Sequence, residues 1–160
     1  MPIVISNQFI ASVLEDFVDR YPHLSCYVPQ VVDDDGDIWI ACGQLPCLPR
    51  LRSPLTFGIS HDCITVAFDG RTRPIMVRPP HKDADTARKE AFDDFDNLLT
   101  VRYVAFSWFG GDYDGIDWIS KEFVDARVKE RAKITKVCGI KRWGVKVRSW
   151  SGKYDYDYVS

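Results

Sequence analysis

The residues able to do chemistry are few and widely spaced. Ser60, His61 and Asp62 are the three residue types of a hydrolytic triad, but they are consecutive. Neighbouring side chains on an extended chain point in different directions, whereas a triad converges from separate segments. His61 with Cys63 meets the same geometrical objection. His23 follows a helix stop and His81 follows two prolines, so both read as surface-loop residues rather than general bases. None of the cysteines has the local surroundings that activate a thiol.

Metal and phosphate chemistry fare no better. A calcium-binding helix-loop-helix needs acids at loop positions 1, 3 and 5, Gly at 6 and Glu at 12. With Gly36 at position 6, Val31 stands at 1 and Cys42 at 12; with Gly115 there, Gly110 stands at 1 and Lys121 at 12. Both acidic runs, Asp33-Asp34-Asp35-Gly36-Asp37 and Asp112 to Asp117, therefore read as solvated turns. Cys42 and Cys47 are too loosely spaced for a zinc knuckle. Gly110-Gly111 follows a strand, but the aspartates after it repel phosphate, and no Gly-Lys-Ser/Thr or dinucleotide fingerprint occurs. The reading predicts no catalytic residue, metal or cofactor.

Charge carries the clearest pattern. Residues 1–120 hold 10 Lys/Arg against 18 Asp/Glu, while residues 121–160 hold 11 against 5. Such asymmetry between segments is an interaction signal. Lys133, Lys136, Lys141, Arg142, Lys146 and Arg148 are expected to alternate outward on a final hairpin, with Trp143, Trp150, Tyr154 and Tyr156 among them. Arg, Trp and Tyr are the usual anchor types of protein interfaces, and they also suit stacking on single-stranded nucleic acid. The expected partner-binding residues are Arg142, Trp143, Lys146, Arg148, Trp150 and Tyr154, gathered at one end of a sheet. The alternative partner surface is acidic: Asp33, Asp34, Asp35, Asp112 and Asp114, as a mimic of nucleic-acid charge.

The elements that must position these residues follow from periodicity. Residues 7–21 form an amphipathic helix on Phe9, Ile10, Val13, Leu14, Phe17, Val18 and Tyr21, capped by Ser6 or Asn7 and stopped by Pro22. Strands are expected over 24–32 (interrupted by Pro29), 38–42, 55–59, 63–68 and 73–78, with 43–54 a proline-rich loop and turns at 60–62 and 69–70. A second helix runs from about 85 to 99, with Asp83 and Asp85 at its positive end. Val101 to Phe109 is the most hydrophobic strand and is expected in the middle of the sheet. Ile116 to Ser120 is either a strand or a helix start, Lys121 to Ala132 is helical, and Ile134–Ile140 and Val145–Trp150 form a hairpin around Lys141-Arg142-Trp143-Gly144. The short connections predict an α+β fold: a mainly antiparallel twisted sheet of about six to eight strands with two or three packed helices. The chain of 160 residues reads as a single domain, with 151–160 a tail or edge strand.

Composition excludes several classes. An aromatic fraction of 13% is foreign to disordered chains. A net charge of −2 excludes a uniformly basic nucleic-acid coat. No apolar run approaches the length of a membrane span. The N-terminus lacks the features of a secretory signal, and the five cysteines are an odd number, so reduced thiols and a cytoplasmic location are expected.

Four stretches, Ile64–Gly70, Glu90–Phe95, Val104–Gly111 and the closing Val147–Asp155, resemble in that order small bacterial immunity-type proteins of polymorphic toxin systems. The likeness covers residues 55–157. Those relatives carry histidines just after the Ile-Thr-Val-like strand, where this chain has Arg71 and Arg73, so no role of such histidines transfers. The resemblance implies a non-catalytic protein that inhibits or sequesters a partner protein, possible toxins being the partner class. Two other readings stay open: an enzyme whose site converges from distant segments such as Asp112, Asp114 and His61, and a nucleic-acid-associated protein using the basic C-terminal hairpin.

Overall fold

Helix α1 (Gln8–Arg20) begins where the spacing requires it. The Asn7 side chain accepts the Phe9 and Ile10 amide hydrogens at 2.9 and 3.2 Å, and Pro22 ends the helix. Its apolar stripe buries Ile10, Val13 and Phe17. In this computed structural model the described residues are 7–29, 36–42, 51–110 and 114–159. They fall into two compact units, Met1–Phe68 with Thr72–Phe95, and Asp69–Arg71 with Asp96–Ser160.

The first unit holds a four-stranded sheet in sequence order: β1 (Ile38–Cys42), β2 (Leu55–Ile59), β3 (Cys63–Phe68) and β4 (Arg71–Met76). The register pairs Ile38 with Ile59, Ile40 with Phe57 and Phe57 with Val66. Period-two alternation then sends these side chains to one buried face. Phe57 sits among the rings of Phe17, Phe92 and Phe95, with centroids 5.1–5.3 Å away. Phe92 and Phe95 belong to α2 (Ala84–Leu99). Asp83 caps that helix by accepting the Thr86 amide hydrogen at 2.7 Å. Arg73 of β4 is held at 2.5 Å by both Glu90 and Asp94 of α2.

The strand expected over 24–32 is not formed at its described residues, 24–29. In place of a strand starting at Leu24, Pro22–Tyr27 forms a 3₁₀ helix. The fixed φ of Pro22 suits a first helical turn. Local bonds then close it, with Leu24 N–H donating to Tyr21 O at 2.8 Å and Ser25 Oγ to Pro22 O at 2.7 Å. Residues 30–35, and with them Asp33, Asp34 and Asp35, lie outside the described residues.

The second unit holds β5 (Tyr103–Phe109), β6 (Gly115–Ser120), β7 (Gly144–Arg148) and β8 (Tyr156–Val159) in the order β6-β5-β7-β8, all antiparallel. The most hydrophobic strand, β5, is indeed internal. The eight strands of the described residues thus form two sheets of four. Helix α3 (Val124–Val137) follows a 3₁₀ turn at Lys121–Phe123. It lays Val124, Val128 and Ala132 against the core of Val104, Phe106, Val145 and Val147.

Here a second expectation is corrected. Ile134–Ile140 is not a strand but the last turn of α3 and its cap. Gly139 has φ +69°; Ile140 N–H reaches Thr135 O at 2.9 Å and Gly139 N–H reaches Lys136 O at 3.3 Å. These paired bonds around a left-handed glycine are a standard helix stop. Lys141-Arg142-Trp143 therefore links a helix to β7 instead of turning a hairpin. The end of the chain does supply an edge strand, since β8 pairs with β7.

Candidate protein-interaction surface

The six residues expected to form one partner-binding cluster are divided. Arg142 and Trp143 precede β7, while Trp150 and Tyr154 follow it. The strand itself separates the two pairs by about 17 Å at the usual rise per residue. Trp143 is only 7% exposed and its ring lies 4.9 Å from that of Tyr158. It is a core residue, clustered with Val104, Phe106, Val145 and Val147, and no surface anchor. Arg148 is also turned inward to an ion pair, 2.5 Å from Asp157 on β8. That guanidinium holds the Asp157 carboxyl below its ordinary range. Arg142 and Lys146 are exposed and Trp150 half-buried. Tyr154 is exposed, with the Lys121 and Lys153 ammonium groups 4.9 and 5.7 Å from its ring centre. The expected outward alternation of Lys133 and Lys136 on a strand fails with the strand.

Of the alternative acidic surface, Asp112 lies outside the described residues with Asp33, Asp34 and Asp35. Asp114 is exposed and its carboxylate accepts the Gly110 amide hydrogen at 3.2 Å, closing the loop between β5 and β6. His61 is exposed on the β2–β3 turn, 3.5 Å from Asp62. Among the described residues no group of three His, Cys, Asp or Glu could hold a metal, and no helix is long and apolar enough to cross a membrane. Cys26 and Cys138 are exposed free thiols, and Cys42 and Cys63 are buried ones. Burial pushes the Cys42 thiol up to about 12, far from a reactive thiolate.

The surface that sequence reading missed is the outward side of α3. Ala126, Glu130, Ile134 and Val137 recur at steps of four and three, which sets them in one row along α3, and Phe123 ends the 3₁₀ turn just before it. Phe123 is 60% exposed, Ile134 41% and Val137 80%. Glu130, Lys133, Ile134, Val137 and Cys138 border a shallow, open depression of the surface. Beside the row, Lys129, Lys133 and Lys136 form a second one at steps of four and three. All three are exposed, and none is ion-paired among the described residues. On the other flank Arg127 is paired with Glu130 at 3.0 Å. The signal was present in the sequence: residues 124–137 carry apolar side chains on two helical faces, Val124-Val128-Ala132 and Ala126-Ile134-Val137. Ending the helix at Ala132 hid the second face.

The neighbouring sheet edge is partly occupied. Arg71 donates to Ile116 O of β6 at 3.0 Å and pairs with Asp117 at 2.5 Å, and the Asp117 carboxylate accepts the Trp118 amide hydrogen at 2.8 Å. Occupied backbone groups of this kind protect an edge from pairing. No family model, curated protein or solved structure gives a significant match to the chain.

Proposed function

We propose that this chain works by binding a protein partner through the outward face of α3, without catalysis of its own. In the form the resemblance implies, it is a bacterial cytoplasmic immunity-type protein that covers the working surface of a toxin. The observation that supports the binding reading is the exposure of Ile134 and Val137 on a helix whose other face already packs the core. Ile134 and Val137, one turn apart and exposed, contribute little to the folding of the unit, and exposed apolar side chains rimmed by charged ones mark interaction sites.

The test is site-specific photo-crosslinking in the producing cells. A photoreactive residue in place of Val137 is expected to give a discrete protein adduct, and one in place of the exposed Thr86 on α2 is not. Adding Ile134→Ala and Phe123→Ala should abolish the adduct while shifting unfolding free energy by no more than about 0.5 kcal/mol, as surface substitutions do. Equal adducts from both positions, or none from Val137, would overturn the reading.

A further inference from the structure

We infer that the element received by α3 is an acidic amphipathic helix of the partner, an inference that rests on the binding reading above. The shape comes from the row itself. Anchors at steps of three and four along one helix face are matched by the same spacing on a second helix. Fourteen residues of α3 offer about 21 Å of length at the usual rise. Ile134 and Val137, exposed beside the open depression at Glu130 and Lys133, give such a helix an apolar surface to pack on. Strand addition at the adjoining edge is disfavoured by the Arg71 and Asp117 bonds described above.

The charge selects the occupant. Residues 121–142 contain 8 Lys/Arg and 3 Asp/Glu, and the row Lys129, Lys133 and Lys136 lacks carboxylate partners among the described residues. A second copy of α3 would bring the same excess of cations alongside, and like charges at helical spacing repel. Glu or Asp flanking an apolar seam would instead neutralise the row, while the lysine stems cover the edge of the seam. Complementary charge of this kind sets orientation and partner choice more than raw affinity.

The probe is a stapled helical peptide of about 18 residues, long enough to match α3, with leucines along one seam. It is made in three versions with Glu, Gln or Lys flanking the seam. Binding to the full chain is read by fluorescence anisotropy. The Glu version is expected to bind about tenfold tighter than the Gln version, the Lys version more weakly than either, and the preference should shrink as salt rises. Lys129→Glu with Lys133→Glu and Lys136→Glu should reverse the order. Equal binding of the three versions, with loss on Ile134→Ala and Val137→Ala, would overturn the acidic helix and leave the binding face standing. No binding of any version that depends on Ile134 or Val137 would overturn both. Two further results would overturn the acidic helix: a concentration-dependent dimer of the chain abolished by Val137→Lys, which assigns the face to a second copy, and competition by single-stranded RNA as strong as by the Glu peptide.

Discussion

Helices α1 and α3 differ by one residue in length, 13 against 14, and use their apolar side chains in opposite ways. In α1 the stripe points one way and buries Ile10, Val13 and Phe17. In α3 the inward face holds only Val124, Val128 and Ala132, none fully buried, with Thr135 the one buried residue. Its Ile134 and Val137 side chains face solvent. A helix is anchored by one apolar face. A second face left exposed therefore needs a reason outside the fold of its own unit. The contrast separates a helix spent on the core from one that is only partly spent on it.

The largest effect should come from the packed side of this comparison. Phe57→Ala removes a fully buried ring from among Phe17, Phe92 and Phe95. Urea unfolding should show a loss of about 3–5 kcal/mol, the range for emptying an aromatic core site. A loss below about 1 kcal/mol would mean that this cluster is not what anchors α1, and the contrast with α3 would collapse.

A middle-sized effect is expected in the second unit, from backbone and not from α3. Gly110 has φ +103°, and a Cβ there would come within 2.3 Å of the Arg142 carbonyl oxygen. Gly110→Ala should cost about 1–3 kcal/mol, because the residue is held in glycine-only backbone and the chain before β7 must move. If the loss matched that of an exposed α3 substitution, the junction of β5 with β7 would be looser than the sheet register indicates.

The smallest effects concern pH, and two carboxylates of the first unit should act with opposite sign. Asp83 has its carboxyl lowered by the Thr86 amide hydrogen bond and then by the Thr86 hydroxyl. Its stabilisation is present above the ordinary carboxylate value near 3.9 and is lost as pH falls below it. Asp94 has its carboxyl raised, mainly by burial, with Arg73 working against the shift. Its folded form keeps a proton that the unfolded chain releases, so stability declines as pH rises from about 4. Asp83→Asn should flatten the acid loss, and Asp94→Asn should remove the decline on the other side. Denaturation midpoints followed from about pH 3 to 6 should show the two slopes changing in opposite directions; the same direction in both variants would contradict the burial of Asp94 as the cause.

Much of the fold was legible from local pattern. The stripe of α1 with its Asn7 cap, the hairpin of β2 and β3 around His61, and the central place of β5 all follow from periodicity and turn residues within a few positions. Two strand expectations fail for one reason: Leu24–Tyr27 and Ile134–Ile140 are short apolar runs, and short runs do not distinguish a strand from a helical turn. Pro22 resolved the first locally through its fixed φ, and Gly139 the second through its left-handed cap. The candidate surface was less legible. Charge counting points to the C-terminal segment and to Trp143 and Arg148, which the sheet draws into its own packing.

The sequence by itself determined where the positive charge concentrates, which segments alternate and where the chain turns, because those properties depend on residue type and on neighbours a few positions away. Only the tertiary structure decided which aromatic residues are anchors of the core and which apolar residues stay in water. Burial depends on what another segment brings to the same place. Trp143 is covered because Tyr158 of β8 meets it, and Val137 is exposed because no described residue covers that side of α3.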